Sequence, residues 1–235
     1  MVLTQPKIFL DYEKDSQEGD DATYYVLGYK FCDTFEQIVI NPKLSGLAKN
    51  KNIEIKNVVE ATQHVFEIAM QYNAVIVAYS EAEKKIFNHL NKSYDLAKYS
   101  QIKYINLRIA ADRWIKNDPK IKNRFQSLEP FRKKANLYQQ KSMKKSLGSI
   151  MRLTDFPPGT DYAPNKISGY FKKVIDSLES KNQNHDKLTA SQKRKATTAL
   201  KHNKYDVYGL NVLYDTIFKN SGTSHLKRSI TKCFK

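Results

Sequence analysis

Between Ala74 and Ser80 the chain reads AVIVAYS, apolar at consecutive rather than alternate positions. Successive side chains of a strand point to opposite faces, so a strand of this composition requires a covering layer on each side, as in an α/β sheet. The neighbouring segments supply those layers. KIFLDYEKD, ATYYVLGYKF from Ala22 and EQIVINP from Glu36 read as three strands of an antiparallel meander, the turn SQEGDD separating the first two. NVVEATQHVFEIAMQYN places Val58, Ala61, Val65, Ile68 and Ala69 at helical spacing, and Glu81 to Asn91 does the same with Ile86, Phe87 and Leu90. IKYINLRI from Ile102 reads as a fifth strand leading into a helix through Trp114. The predicted order is β-β-β-α-β-α-β-α: a mixed five-stranded sheet, the meander joined by parallel strands, flanked by helices.

Further along, a basic and mainly helical region is expected from about 118 to 200, ahead of a final helix. It includes Lys120 to Lys145, a helix in SLGSIMRLTDF running into the turn FPPGTDYAP, and the amphipathic segment KISGYFKKVIDSLES with Ile167, Tyr170, Phe171, Val174, Ile175 and Leu178 on its apolar side. SKNQNHDKL, 180–188, has the composition of a linker. The last helix begins near Ser191, with room for one break before KHNKYD. A length of 235 residues accommodates all of this in one domain spanning 1–235.

Asp11 and Glu13 alternate with Leu10 and Tyr12 and therefore share a strand face. Adjacent carboxylates repel by roughly 4 kcal/mol at about 4 Å and an effective dielectric near 20, a cost that a bound cation reverses. A D-x-E pair alone is more often the solvated end of a strand. Charge adds context. Residues 1–40 carry 3 basic and 8 acidic side chains, whereas residues 181–235 carry 12 basic and 3 acidic ones, within a total net charge of +16. An acidic spot in a basic surface suits a polyanion gripped by its phosphates. Scattered lysines are explained as well by a solvated surface, but the clusters Arg132-Lys133-Lys134, Lys144-Lys145 and Lys193-Arg194-Lys195 point to nucleic acid. No run approaches 18 apolar residues, and MVLTQPKIFLDYEKD lacks the charged-then-apolar pattern of a signal peptide, so a cytoplasmic chain without membrane contact is expected. Cys32 and Cys233 are too far apart for metal-ligand spacing and read as reduced thiols.

IFLDYEK, AYSEAEKKIF, SLGSIMRLTDF and HNKYDVYGLNVLYDTI, taken together, resemble the RNase H-like 3′-to-5′ exonuclease superfamily of DEDD type. The branch most similar is that of RNase H-like nuclease domains found alone or beside RecB-type nucleases and helicases. The resemblance implies an RNase H-like fold and a metal-dependent nuclease acting on DNA or RNA, with a single-stranded end as substrate and a helicase or nuclease as partner. It implies two Mg²⁺ or Mn²⁺ ions held by Asp11 and Glu13 from the first strand, Asp206 from the last helix, and a middle acid. Tyr79, Ser80, Glu83 and Lys84 match a Y-S-x-x-E-K form, which makes Glu83 that acid and Glu81 its competitor. Asn106 stands where relatives carry an Asp, with Asp112 about one turn beyond. Gly209 would let the last helix approach the first strand.

His202 lies one helical turn before Asp206 and shares its face. As a neutral imidazole it suits proton abstraction from water; it is equally an ordinary histidine of a basic helix. Tyr205 points off that face. Lys193, Arg194 and Lys195 are candidates for phosphate contacts and Tyr79 for stacking on a terminal base. Two other functions fit the composition: a catalytically degenerate nucleic-acid-binding module on the same fold, and a basic protein that contacts RNA or an acidic partner.

Overall fold

The computed structural model describes residues 4–16, 22–128, 146–159, 166–221 and 230–233. Its strands are β1 (Lys7–Lys14), β2 (Tyr24–Phe31), β3 (Thr34–Val39), β4 (Glu54–Ile55), β5 (Val75–Ala78), β6 (Lys103–Asn106) and β7 (Ile230–Lys232). They form one mixed sheet in the order β4-β3-β2-β1-β5-β6-β7. β1 pairs antiparallel with β2 and parallel with β5, β2 pairs antiparallel with β3, and β5 pairs parallel with β6. The expected five strands are therefore joined by two more at the edges. β4 has two residues and β7 three, too few to leave a period in the sequence.

The described helices are α1 (Ser45–Lys51), α2 (Val58–Gln71), α3 (Ala82–Tyr94), α4 (Leu107–Asn117), α5 (Pro119–Ser127), α6 (Leu147–Met151), α7 (Ile167–Glu179) and α8 (Ala190–Ser221). Asn57 starts α2 with a capping box, its side chain accepting from the Glu60 amide while the Glu60 carboxylate accepts from the Asn57 amide. α2 and α3 cover one face of the sheet, where Ala61, Val65, Phe66, Ile86, Phe87 and Leu90 pack on Ile8, Leu10, Tyr12, Ile76 and Ala78. The opposite face receives α4, α6 and α8 through Phe9, Val75, Val77 and Ile105. β5 is thus buried on both sides, as its composition requires. Among the described residues no helix is long and apolar enough to cross a membrane.

α8 runs unbroken for 32 residues, so the break allowed for before KHNKYD is absent. Its buried side spans two apolar clusters: Ala196, Ala199 and Leu200 pack with α1 and α7, and Val207, Leu210, Leu213, Tyr214 and Ile217 pack on the sheet. Asn203 and Asp206 continue that spacing across the gap and are buried as well. The 180–188 segment holds a short 3-10 turn at His185–Lys187 and hydrogen bonds to α1, Gln183 Oε1 accepting from the Gly46 amide at 3.2 Å. The clusters Arg132-Lys133-Lys134 and Lys144-Lys145 lie outside the described residues, as do most of SQEGDD and part of FPPGTDYAP.

Candidate metal centre

β1, β5 and β6 are parallel, so their C-terminal ends lie along one edge, the place where open α/β sheets commonly bind ligands. β1 brings Asp11 and Glu13 there, the turn after β5 brings Ser80 and Glu81, the first turn of α3 brings Glu83, and β6 ends on Asn106. α8 crosses β1 and β2 on the face that carries Phe9 and lays Asn203 and Asp206 over them. Asp206 therefore lies on the same side of the sheet as Asp11 and Glu13.

Glu13, His202 and Asp206 form the closest group: one ligand-type atom from each lies within 4.8 Å of the other two. His202 Nε2 is 3.5 Å from Asp206 Oδ2 across one helical turn. Glu13 Oε1 is sealed from solvent without a hydrogen-bond partner. Burial raises the Glu13 pKa well above the usual carboxylate range, and the charges of Asp11 and Asp206 raise it further. Burial also drives the His202 pKa down to about 4, so its imidazole is neutral at physiological pH but a weak base.

Asp11 is fixed by residues that the sequence reading passed over. In register, Asp11 of β1 lies opposite Gly28 of β2, and Gly28 opposite Gln37 of β3. Asn203 lies over this row, wholly buried. Its Nδ2 donates to Asp11 Oδ2 at 3.0 Å and to the Asp11 carbonyl at 3.1 Å. Its Oδ1 accepts from Gln37 Nε2 at 2.9 Å, and the same Gln37 group donates to the Leu200 carbonyl at 3.0 Å. A Cβ on residue 28 would sit 2.1 Å from Asn203 Oδ1, so the close approach of helix to sheet depends on glycine there. Gly209, expected to serve that purpose, instead faces Met151 of α6, whose Cε lies 3.1 Å from where its Cβ would be. Burial raises the Asp11 pKa to about 6, the Asn203 hydrogen bond opposing the rise.

Glu83 and Glu81 are held differently. Glu83 is 6% exposed; burial, then the charge of Asp11, pushes its pKa up to about 8. Ser80 Oγ donates to its Oε2 at 3.4 Å, and the Tyr104 hydroxyl, which donates to the Ser80 carbonyl, lies 3.5 Å from the same oxygen; both contacts to Glu83 are long. Glu81 is exposed and accepts from Asn106 Nδ2 at 2.7 Å, while Asn106 Oδ1 caps α4 by accepting from the Ile109 amide. Asp112 is near the Tyr79 hydroxyl, which burial and Asp112 push upward against the opposing charge of Arg108. Tyr79 is half-buried and packs against the apolar cluster beneath α8. Tyr205 points toward Phe156, stacking on its ring at 4.8 Å and donating to its carbonyl at 2.7 Å.

Lys193, Arg194 and Lys195 occupy the first turns of α8, about 20 Å along the helix from Asp206 at 1.5 Å per residue. Lys193 Nζ donates to the Asp186 carbonyl at 3.0 Å, whereas Arg194 is exposed. On the expectation that this cluster contacts nucleic acid, replacing all three with Ala should lower the slope of log K against log salt by about 2 for a single-stranded oligonucleotide, at roughly 0.7 per phosphate contact. Fluorescence anisotropy over a salt series measures this, and an unchanged slope removes the cluster from the footprint.

No protein-family model, curated protein or solved structure matches this chain.

Proposed function

We propose that this chain is a metal-dependent nuclease of the RNase H-like, DEDD type that hydrolyses phosphodiester bonds of DNA or RNA, acting from 3′ ends. The observation that carries the reading is the meeting of Glu13, His202 and Asp206 within 4.8 Å, from opposite ends of the chain. Strand order adds support: across β3-β2-β1-β5-β6 only β2 runs against the others, the arrangement expected of an RNase H-like sheet.

The side chains fit divalent cations. An oxygen sealed from water with no donor, three carboxyls whose ionised forms are disfavoured by burial and mutual repulsion, and a neutral imidazole are all relieved by positive charge. Asp11, Glu13, Glu83 and Asp206 would hold Mg²⁺ or Mn²⁺, which lowers the pKa of a water and offsets charge on a leaving oxygen. Asn203 restrains rotation of the Asp11 carboxylate, and Glu83 lies beside Ser80 and Tyr104. The basic start of α8 draws the polyanion toward an edge that would otherwise repel it.

Glu83→Gln removes charge while keeping size and should abolish Mg²⁺-dependent cleavage of labelled single-stranded DNA or RNA. Glu81→Gln should cost less than about threefold, because Glu81 is exposed and engaged by Asn106. The reverse pattern would move the middle acid to Glu81. Asn106, at a position where the family this chain resembles would carry an acid, favours a second reading: a binding module on the same fold, which would retain oligonucleotide affinity in EDTA and cleave nothing.

A further inference from the structure

We propose that His202 is a metal ligand: Glu13, His202 and Asp206 form a cation site with one imidazole nitrogen and two carboxylates, which prefers Mn²⁺ to Mg²⁺. This inference rests on the metal-binding part of the proposed function and does not require that the protein cleave anything.

The geometry is that of donors around one ion. Ligands about 2.0–2.2 Å from a common cation lie roughly 3 Å apart when adjacent and up to about 4.4 Å apart when opposed. The His202 Nε2 to Asp206 Oδ2 separation of 3.5 Å falls in that range, and the three donors lie within 4.8 Å of one another, so a side-chain adjustment of a few tenths of an ångström brings all three onto one ion. Two of them stand one turn apart on α8, a spacing at which a helix presents a pair of ligands to one ion. The third arrives from β1, and its Oε1 is buried without a hydrogen-bond donor. α8 packs by apolar side chains on both sides of this point, Ala199 and Leu200 before it and Val207 and Leu210 after it, so the pair is held rigidly over the strand.

The donor set determines the class of cation. Mg²⁺ selects oxygen ligands and retains water, whereas imidazole nitrogen suits first-row transition ions. A site of one nitrogen and two carboxylate oxygens therefore gains more from Mn²⁺ than one built from carboxylates alone. As a ligand through Nε2, His202 would not act as the base for water.

The test uses the full chain with Mn²⁺ as probe. Titration followed by the electron paramagnetic resonance signal of free Mn²⁺ gives its affinity, and competition gives that of Mg²⁺. Electron spin-echo modulation of the bound ion should show nitrogen coupling that changes from ¹⁴N to ¹⁵N on histidine labelling. His202→Asn should abolish that coupling and weaken Mn²⁺ by at least about tenfold, with less than threefold change for Mg²⁺. The spectrum of the parent decides the matter even if the variant fails to fold. Absence of saturable Mn²⁺ binding, bound Mn²⁺ without histidine coupling, or equal losses for both ions would overturn the proposal. A parallel cleavage assay separates the two claims: histidine-coupled Mn²⁺ with no cleavage sinks the nuclease reading alone, and Mg²⁺-dependent cleavage without histidine coupling sinks this one alone.

Discussion

Glu83→Gln will raise the unfolding temperature of the metal-free protein at pH 8 and make its loss of stability between about pH 5 and 8 shallower, leaving the part that Glu13 and Asp11 contribute. The folded pKa of Glu83 is about 8 against an ordinary 4.5, so the unfolded chain ionises first. Stability is greatest below the unfolded pKa and falls as pH rises through the interval, becoming level above the folded value. A shift of this size corresponds to on the order of 4 kcal/mol at pH 8. Asp11, raised from 3.8 to about 6, contributes the same sign over the lower part of the range. Glutamine is neutral at every pH and can still accept from Ser80 Oγ. Mn²⁺ should oppose the trend in the parent, since it favours the ionised carboxylates. Calorimetry in EDTA from pH 5 to 8 is the check; parallel curves for parent and variant would contradict it.

A methyl group at residue 28 should be nearly as damaging as loss of the amide it would strike. Gly28→Ala places a Cβ 2.1 Å from Asn203 Oδ1, and overpacking of that kind costs about 1–3 kcal/mol. Asn203→Ala costs a similar amount by leaving Gln37 Nε2 and Asp11 Oδ2 without their shared partner. The double variant relieves the clash. Its destabilisation should fall short of the sum of the two by about 1 kcal/mol or more, as for residues in direct contact. All three variants should lose at least about tenfold in cleavage rate, because the Asp11 carboxylate is no longer held. Strict additivity of the stability changes would disprove the steric link between Gly28 and Asn203.

The architecture was legible where burial imposes a period. AVIVAYS announced a strand covered on both faces, and the alternation in KIFLDYEKD put Asp11 and Glu13 on one side, the side where α8 lies. β4 and β7 were not legible, since their pairing depends on neighbouring strands and not on any pattern of their own. The allowed break in α8 conflicted with a signal that was present: 196, 199, 200, 203, 206, 207, 210, 213, 214 and 217 keep helical spacing without interruption. Asn203 and Asp206 are the polar members of that set. Reading Asn203 as a polar residue on a buried stripe would have found it, whereas Asp206 was singled out by the family resemblance. Gly28 could not be found this way, because the helix that needs its missing side chain passes over it from far along the chain. Glu81 and Glu83 are two residues apart, and what separates them is burial and the Asn106 amide, both tertiary.

The most direct test of the central claim is cleavage of 5′-labelled single-stranded DNA and RNA by the parent and by Asp206→Asn, each in Mn²⁺, Mg²⁺ and EDTA. The account predicts a ladder shortening from the 3′ end with the parent in metal, and intact substrate in EDTA and with Asp206→Asn. Intact substrate under every condition, or equal cleavage by Asp206→Asn, would contradict it.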